Sequence, residues 1–240
     1  MSARINASGD SYSAVWALGA QSAFSMCCWF KLASDRNAYT GIINTDGNAT
    51  SGNGVYLQTD ADGTTLELWD DQIGHIVFGQ NMAVGVWYFI GLAKSGTSAV
   101  LYYRALSSPT LTAVAATVSS SSIVNRFWFG NDQFDEWVDG SVFAGKHWLA
   151  QLSFAEMQAE SYQIAPARTA NLTAFHPVQR AEAADYSGNG RTLTVAGSID
   201  TDDNPPIPWQ GLRQRLILNA PAVAAPAYPY VPISQYAGFH

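Results

Sequence analysis

Aromatic rings, amides and carboxylates gather twice in this chain within a few positions of one another. One group is Trp69, Asp70, Asp71 and Gln72; the other runs from Asn131, Asp132, Gln133 and Phe134 to Asp135, Glu136, Trp137 and Asp139. A ring beside hydrogen-bonding oxygens is what a sugar requires, because its C–H face stacks on the ring while its hydroxyls pair with the polar atoms. Trp69 and Trp137 are the rings expected to be exposed, with Asp70, Asp71 and Asp132 as their polar neighbours. Paired carboxylates also hydrolyse glycosides. Here, however, Asp132, Asp135, Glu136 and Asp139 fall at uneven intervals on what reads as a loop, and no strand carries alternating Glu, Asp and Glu on one face. Solvated loop acids are the plainer reading, and no catalytic residue is assigned.

Oxygen ligands of the same kind suit calcium. The candidates are Asp46, Asn48 and Asn53 on one loop, Asp60 and Asp62 on the next, and Asp132 or Asp135. Turn chemistry explains most of them without an ion, since Asp and Asn cap turns and accept positive φ. No other cofactor is implied. His75, His147, His176 and His240 have no Cys or carboxylate at ligand spacing and read as ordinary polar or half-buried side chains. No serine or cysteine sits in a nucleophile elbow, and the glycines at 188 and 190 mark a turn rather than a phosphate cradle.

The elements that must position these groups are strands. Apolar residues recur with period two over short runs separated by Gly, Asp, Asn and Ser, the pattern of an all-β sandwich. In residues 23–32, Phe24, Met26, Cys28, Phe30 and Leu32 share one face and Ser25, Cys27, Trp29 and Lys31 the other, which predicts a central strand. Cys27 and Cys28 therefore point apart and do not bridge. Strands are predicted at 55–59 and 65–69 around the turn of Asp62 and Gly63, then at 73–78, 87–93, 99–105, 112–118, 127–129, 140–152, 171–177 and 192–196. Trp16, Trp29, Trp87, Trp128 and Trp148 fall on such runs and are assigned to the core. One helix is marked, at 154–163. Ser153 and Glu156 form a capping box, and Leu152 and Met157 hold the staple positions.

Composition narrows the partners. The chain has 240 residues with 12 basic and 19 acidic side chains, a formal charge of −7, and only 13% charged residues. An acidic chain without a basic run lacks the footprint of a nucleic-acid binder. No apolar run approaches the roughly 18 residues of a spanning helix, and the first ten residues lack the apolar centre of a signal peptide, so no membrane and synthesis in a cytoplasm are expected.

Residues 210–240 differ in kind from residues 1–209. Pro221, Pro226, Pro229 and Pro232 forbid a helix or central strand, yet the segment carries Tyr228, Tyr230, Val231, Ile233, Tyr236 and Phe239. All acids lie at or before Asp203, while Arg213 and Arg215 follow it. The division is thus a body at 1–209 and an extended Pro-rich arm at 210–240. Arg213, Arg215, Tyr228, Tyr230, Ile233, Tyr236 and Phe239 are its candidate docking residues. Each large side chain buried on a partner contributes about 1.5–3 kcal/mol before ordering costs.

Several segments together resemble the laminin-G-like or concanavalin-A-like lectin domains of jelly-roll fold, over about residues 3–209. They are the run from Phe24 through Trp29 to Lys31; Trp87 and Tyr88 with the hairpin partner at 99–104; and Phe129 and Gly130 followed by Asp139 and Gly140. Leu152, Ser153 and Glu156, and Asp185, Ser187, Gly188, Asn189 and Gly190, complete the set. Members commonly carry an acidic pair after the Asp-Gly, where this chain has Phe143, Ala144, Gly145, Lys146 and His147, so a role for those acids does not carry over. The last element, with Pro205, Pro206 and Trp209, is similar to domains of tailed-bacteriophage structural proteins. The resemblance implies a non-enzymatic virion component, a capsid decoration, cement or fibre-type protein. Capsid or other virion proteins and further copies of itself would be its partners. A carbohydrate-binding module for a cell-surface glycan, with or without calcium, is the alternative.

Overall fold

The computed structural model describes residues 1–45, 53–132, 134–179 and 182–207. The docking residues at 213–239, the arm that holds them, and Asp46 and Asn48 lie outside the described residues. Two large antiparallel sheets face one another, and elements are numbered in chain order. The first sheet runs β11 (Thr112–Thr117), β10 (Ser98–Ala105), β9 (Trp87–Ser95), β4 (Ala23–Leu32), β14 (Gly140–Trp148), β1 (Ser2–Ile5), β17 (Asp200–Asp202), and β15 (Leu172–His176) also pairs with β14. The second runs β16 (Thr194–Ala196), β2 (Ser11–Val15), β13 (Arg126–Phe129), β5 (Thr40–Asn44), β6 (Val55–Thr59), β7 (Thr65–Asp70), β8 (Gly74–Asn81). β3 (Ala20–Gln21) and β12 (Ser122–Ile123) form a small ribbon. No helix among the described residues is long and apolar enough to cross a membrane.

Period two sorts the chain into layers. The even face of β4, from Phe24 to Leu32, joins Ile43, Leu57, Leu66, Leu68, Phe127 and Phe129 in the core between the sheets. Its odd face sends Cys27 and Trp29 into a second apolar layer on the outside of the first sheet, with Phe89, Tyr102, Phe143 and Trp148. The two cysteines are free and buried on opposite faces, as the alternation requires. β14 serves two neighbours on one edge because it bulges between Phe143 and Lys146, with Ala144 at φ 54. Its first half pairs β1 and its second half β15.

α1 (Phe154–Glu160) covers the second layer. Its capping box is complete, Ser153 Oγ accepting from Glu156 N and Glu156 Oε2 accepting from Ser153 N. Met157 seats on Gly91 of β9, where a Cβ would come within 2.8 Å of its sulfur. The helix ends at Glu160 rather than 163, since Ser161 caps it. β14 likewise stops at Trp148 rather than 152; beyond it, Ser25 Oγ donates to Ala150 O and accepts from Leu152 N, taking the chain off the ladder. Asp185 accepts from the backbone of Phe175, Ser187 and Arg191, and Asn189 donates to Leu172 O and Thr173 O. The Asp-Tyr-Ser-Gly-Asn-Gly element is therefore a turn stapled to β15.

Candidate functional site

The outer face of the second sheet is built by cross-strand pairs. Tyr56 on β6 faces Trp69 on β7, which faces His75 on β8; one pair further along, Gln58 faces Glu67. Side chains directly opposite on one face touch, so the register creates an aromatic row beside a polar one. The Trp69 and His75 rings meet edge to face at 4.3 Å, and Tyr39, just before β5, stacks on His75 at 5.3 Å. Gln58 Nε2 and His75 Nδ1 both reach Glu67 Oε1, at 2.6 and 2.8 Å.

The loop between β13 and β14 folds over this face. Gly41 on β5 admits it, for a Cβ there would lie 3.0 Å from Asp132 Cβ and 3.1 Å from Asn131 C. Gly41 N donates to Glu136 O at 2.5 Å and Asn44 Nδ2 to Asn131 O at 3.1 Å, fixing the loop to the sheet. The result is a cavity of about 220 Å³ lined by Tyr39, Tyr56, Gln58, Trp69, His75, Phe134 and Glu136. Phe134 stands at its lip, 58% exposed.

The two clusters that sequence reading kept apart are thus opposite walls of one cavity, with Trp69 on one side and Phe134 and Glu136 on the other. The remaining candidates support it or lie elsewhere. Asp71 accepts from the Trp69 indole at 2.7 Å and from Gly54 N, and so sets the ring. Asp70 is buried and accepts from Ser119 N, Ser119 Oγ and Gln72 N, holding β7 to the chain after β11. Trp137 is half-buried against the core with the Arg36 guanidinium 3.9 Å above its ring, so it is not the open platform expected. Asp60 and Asp62 accept from the backbone of their own turn, Asp60 from Asp62 N and Asp62 from Thr64 N and Thr65 N. The core tryptophans sit as expected, except that Trp128 is half-buried.

The four acids of the second cluster separate. Asp139 pairs with Arg4 at 2.7 Å, and Asp135 accepts from Ser8 Oγ and Gly9 N, tying the loop to the β1–β2 turn. Asp132 and Glu136 remain together. Asp132 Oδ1 accepts from Phe134 N and Glu136 N, which sets the two carboxyls side by side. Burial pushes Asp132 up. Burial, followed by the Asp132 charge and hydrogen bond, pushes Glu136 up to about 8, so the pair holds a proton at neutral pH.

Sequence reading missed Tyr39, Tyr56, Gln58 and Glu67, and took His75 for an ordinary polar residue. The only local sign was polar and aromatic side chains alternating with Leu57, Leu66 and Leu68. His147 and His176 are buried rather than half-buried, the first at 3.0 Å from Thr173 Oγ1 through Nδ1.

No family model and no curated protein matches the sequence. Among solved structures, the fold is similar to the native heptameric SAP-like pentraxin from Limulus polyphemus, 14% identical over 83% of this chain and 92% of that one, with TM-score 0.52. It is similar also to full-length tailspike protein 2 from Escherichia coli O157:H7 bacteriophage CAB120, 12% identical over 69% of this chain, with TM-score 0.53. This chain spans 25% of that tailspike. Two packed antiparallel sheets, one short helix and these neighbours identify the chain as an all-β jelly-roll sandwich of the concanavalin-A-like kind.

Proposed function

We propose that the protein binds a saccharide in the cavity over β5 to β8 and does not cleave it. One observation carries the reading: four aromatic rings, Tyr39, Tyr56, Trp69 and Phe134, and the polar ends of Gln58, His75 and Glu136 share one concave surface. Rings supply stacking area at low ordering cost, and the polar atoms fix orientation. Hydrolysis would need two carboxyls about 5–9.5 Å apart across the glycosidic bond. Asp132 and Glu136 sit on one turn, Asp132 Oδ1 accepting from Glu136 N, and Glu67 is fully buried beneath Gln58 and His75. A glycan array probed with the full chain and with Trp69→Ala tests the proposal. Binding lost in the variant supports it; equal binding by both proteins, or none by the parent, contradicts it.

A place in a bacteriophage particle is a second reading, and it rests on the sequence of 210–240. Four prolines interleaved with Tyr228, Tyr230, Ile233, Tyr236 and Phe239 make an apolar arm that suits a neighbouring virion protein or a second copy. The two roles coexist, with the arm as anchor and the cavity as reader. Deleting 212–240 is expected to abolish incorporation into particles while glycan binding persists; incorporation of the truncated chain would refute the arm's role.

A further inference from the structure

The cavity wall carries one acid, Glu136, with Glu67 and Asp132 buried behind it. Gln58 is only 4% exposed and lines the cavity; its Nε2 is committed to Glu67, and no donor among the described residues reaches its amide oxygen. His75 Nδ1 is held by Glu67 Oε1 at 2.8 Å, so its Nε2 is the ring nitrogen left for a ligand. Glu67 Oε2 and Asp132 Oδ2 are buried with no conventional donor. No Lys or Arg lines the cavity among the described residues. Arg36, the cation whose charge reaches Glu136, is occupied by the Trp137 ring and carbonyl.

We propose that the saccharide taken by this cavity is an amino sugar with a free, protonated amine, its ammonium group meeting Glu136 and the Gln58 oxygen and its ring lying among Tyr39, Trp69 and Phe134. The inference rests on the glycan reading and names the class of sugar. An ammonium group donates three hydrogen bonds and accepts none, which matches a surface of acceptors, and aromatic faces attract cations. A carboxylated sugar such as a sialic acid or uronate would set its anion beside the Asp132–Glu136 pair and Glu67, with no lysine or arginine among the described lining residues to receive it.

The proton held by the acid pair gives the proposal a separate readout. The charged and titratable groups facing Glu136 are Asp132, Glu67 and Arg36, with Asp135 acting on Asp132, and His75 and Tyr39 across the cavity. Without ligand, burial and mutual repulsion favour a proton on the Asp132–Glu136 pair. An ammonium ligand favours the carboxylate and expels that proton, whereas a neutral sugar leaves it in place.

The test is calorimetric titration of the full chain with glucosamine trimer, its fully N-acetylated counterpart, 3′-sialyllactose and the sugar-free diamine putrescine. Each runs at about pH 6 in two buffers of different ionisation enthalpy. The glucosamine trimer is expected to bind at least about tenfold more tightly than the acetylated trimer, with proton release, and sialyllactose most weakly. Glu136→Gln should abolish both the preference and the proton release, its fold being checked by thermal melting. Should Glu136→Gln fail to fold, the ligand ranking and proton count of the parent decide alone. Equal or tighter binding of the acetylated trimer or of sialyllactose overturns the amine assignment while the glycan reading stands. Putrescine binding as tightly as the glucosamine trimer overturns both, since the sugar ring would then contribute nothing.

Discussion

Each sheet carries buried acids on its outer face, and the two faces treat them in opposite ways. Under α1, Glu160 is fully buried but compensated: Lys146 Nζ donates to its Oε2 at 2.7 Å and to Gln163 O at 3.0 Å, and Arg168 N donates to its Oε1. Both side chains are at most 1% exposed, and a full apolar layer surrounds them. On the opposite face Asp132, Glu136 and Glu67 gather without a lysine or arginine among the described lining residues, and Phe134 stands exposed beside half-buried Tyr39 and Trp69. Compensation and cover mark a piece of architecture. Buried acids held without a lysine or arginine beneath an aromatic cavity destabilise the empty protein, and such a cost is recovered when a ligand arrives.

The largest effect should come from breaking the compensated pair. Lys146→Met leaves Glu160 buried and unpaired and should cost about 3–5 kcal/mol in urea unfolding, whereas the double change Lys146→Met with Glu160→Leu should recover most of it. If the single change costs under about 1 kcal/mol, the contrast between the faces fails.

Next comes the open face, where the cost should appear in binding. Trp69→Ala should lose about 2 kcal/mol of saccharide affinity, roughly thirtyfold, and Asp71→Ala, which frees the indole, a smaller part of it. Gly41→Ala sharpens the comparison without touching a lining residue. Its methyl presses on Asp132 and Asn131, lifts the loop by a few tenths of an ångström and should cost about tenfold in affinity while the melting temperature moves little.

The smallest effect is on stability against pH. Glu136 has its carboxyl raised from 4.5 to about 8, so the folded state binds more protons than the unfolded one in that window, and its stabilising contribution fades as pH rises. Glu136→Gln should therefore melt increasingly above the parent from about pH 5 to 8, by under about 1 kcal/mol because the group is half-exposed. The buried histidines act at the other end. Burial lowers His147 to about 3 and His176 to about 4, so the stability present above 6.5 is lost as pH falls toward those values. Parallel melting curves for the parent and Glu136→Gln across pH 5–8 would remove the acid pair from the account.

The architecture was largely legible because it follows from local patterns. Alternation placed Cys27 and Cys28 on opposite faces of β4, and Ser153 with Glu156 announced α1. Short pairings with little apolar content escaped, such as β1 and β17, which meet only because Ser2 finds Asp202 across the whole chain. The site was legible in halves. Trp69 and Phe134 each stood in a suggestive cluster, but their union depends on the β6–β7–β8 register and on a loop crossing at Gly41, both long-range. Gln58 and Glu67 look like the solvent side of any half-buried hairpin. Only the loop folding over them makes them a cavity floor.

The most direct test of the open face is nuclear magnetic resonance of the 15N-labelled chain, in which the indole N–H signals of its eight tryptophans are followed during titration with the glucosamine trimer. The Trp69 signal should shift saturably, while those of Trp29 and Trp148, sealed beneath α1, stay in place. Saturable binding that leaves Trp69 unmoved and shifts Trp128 or Trp137 instead would place the sugar elsewhere and contradict the account.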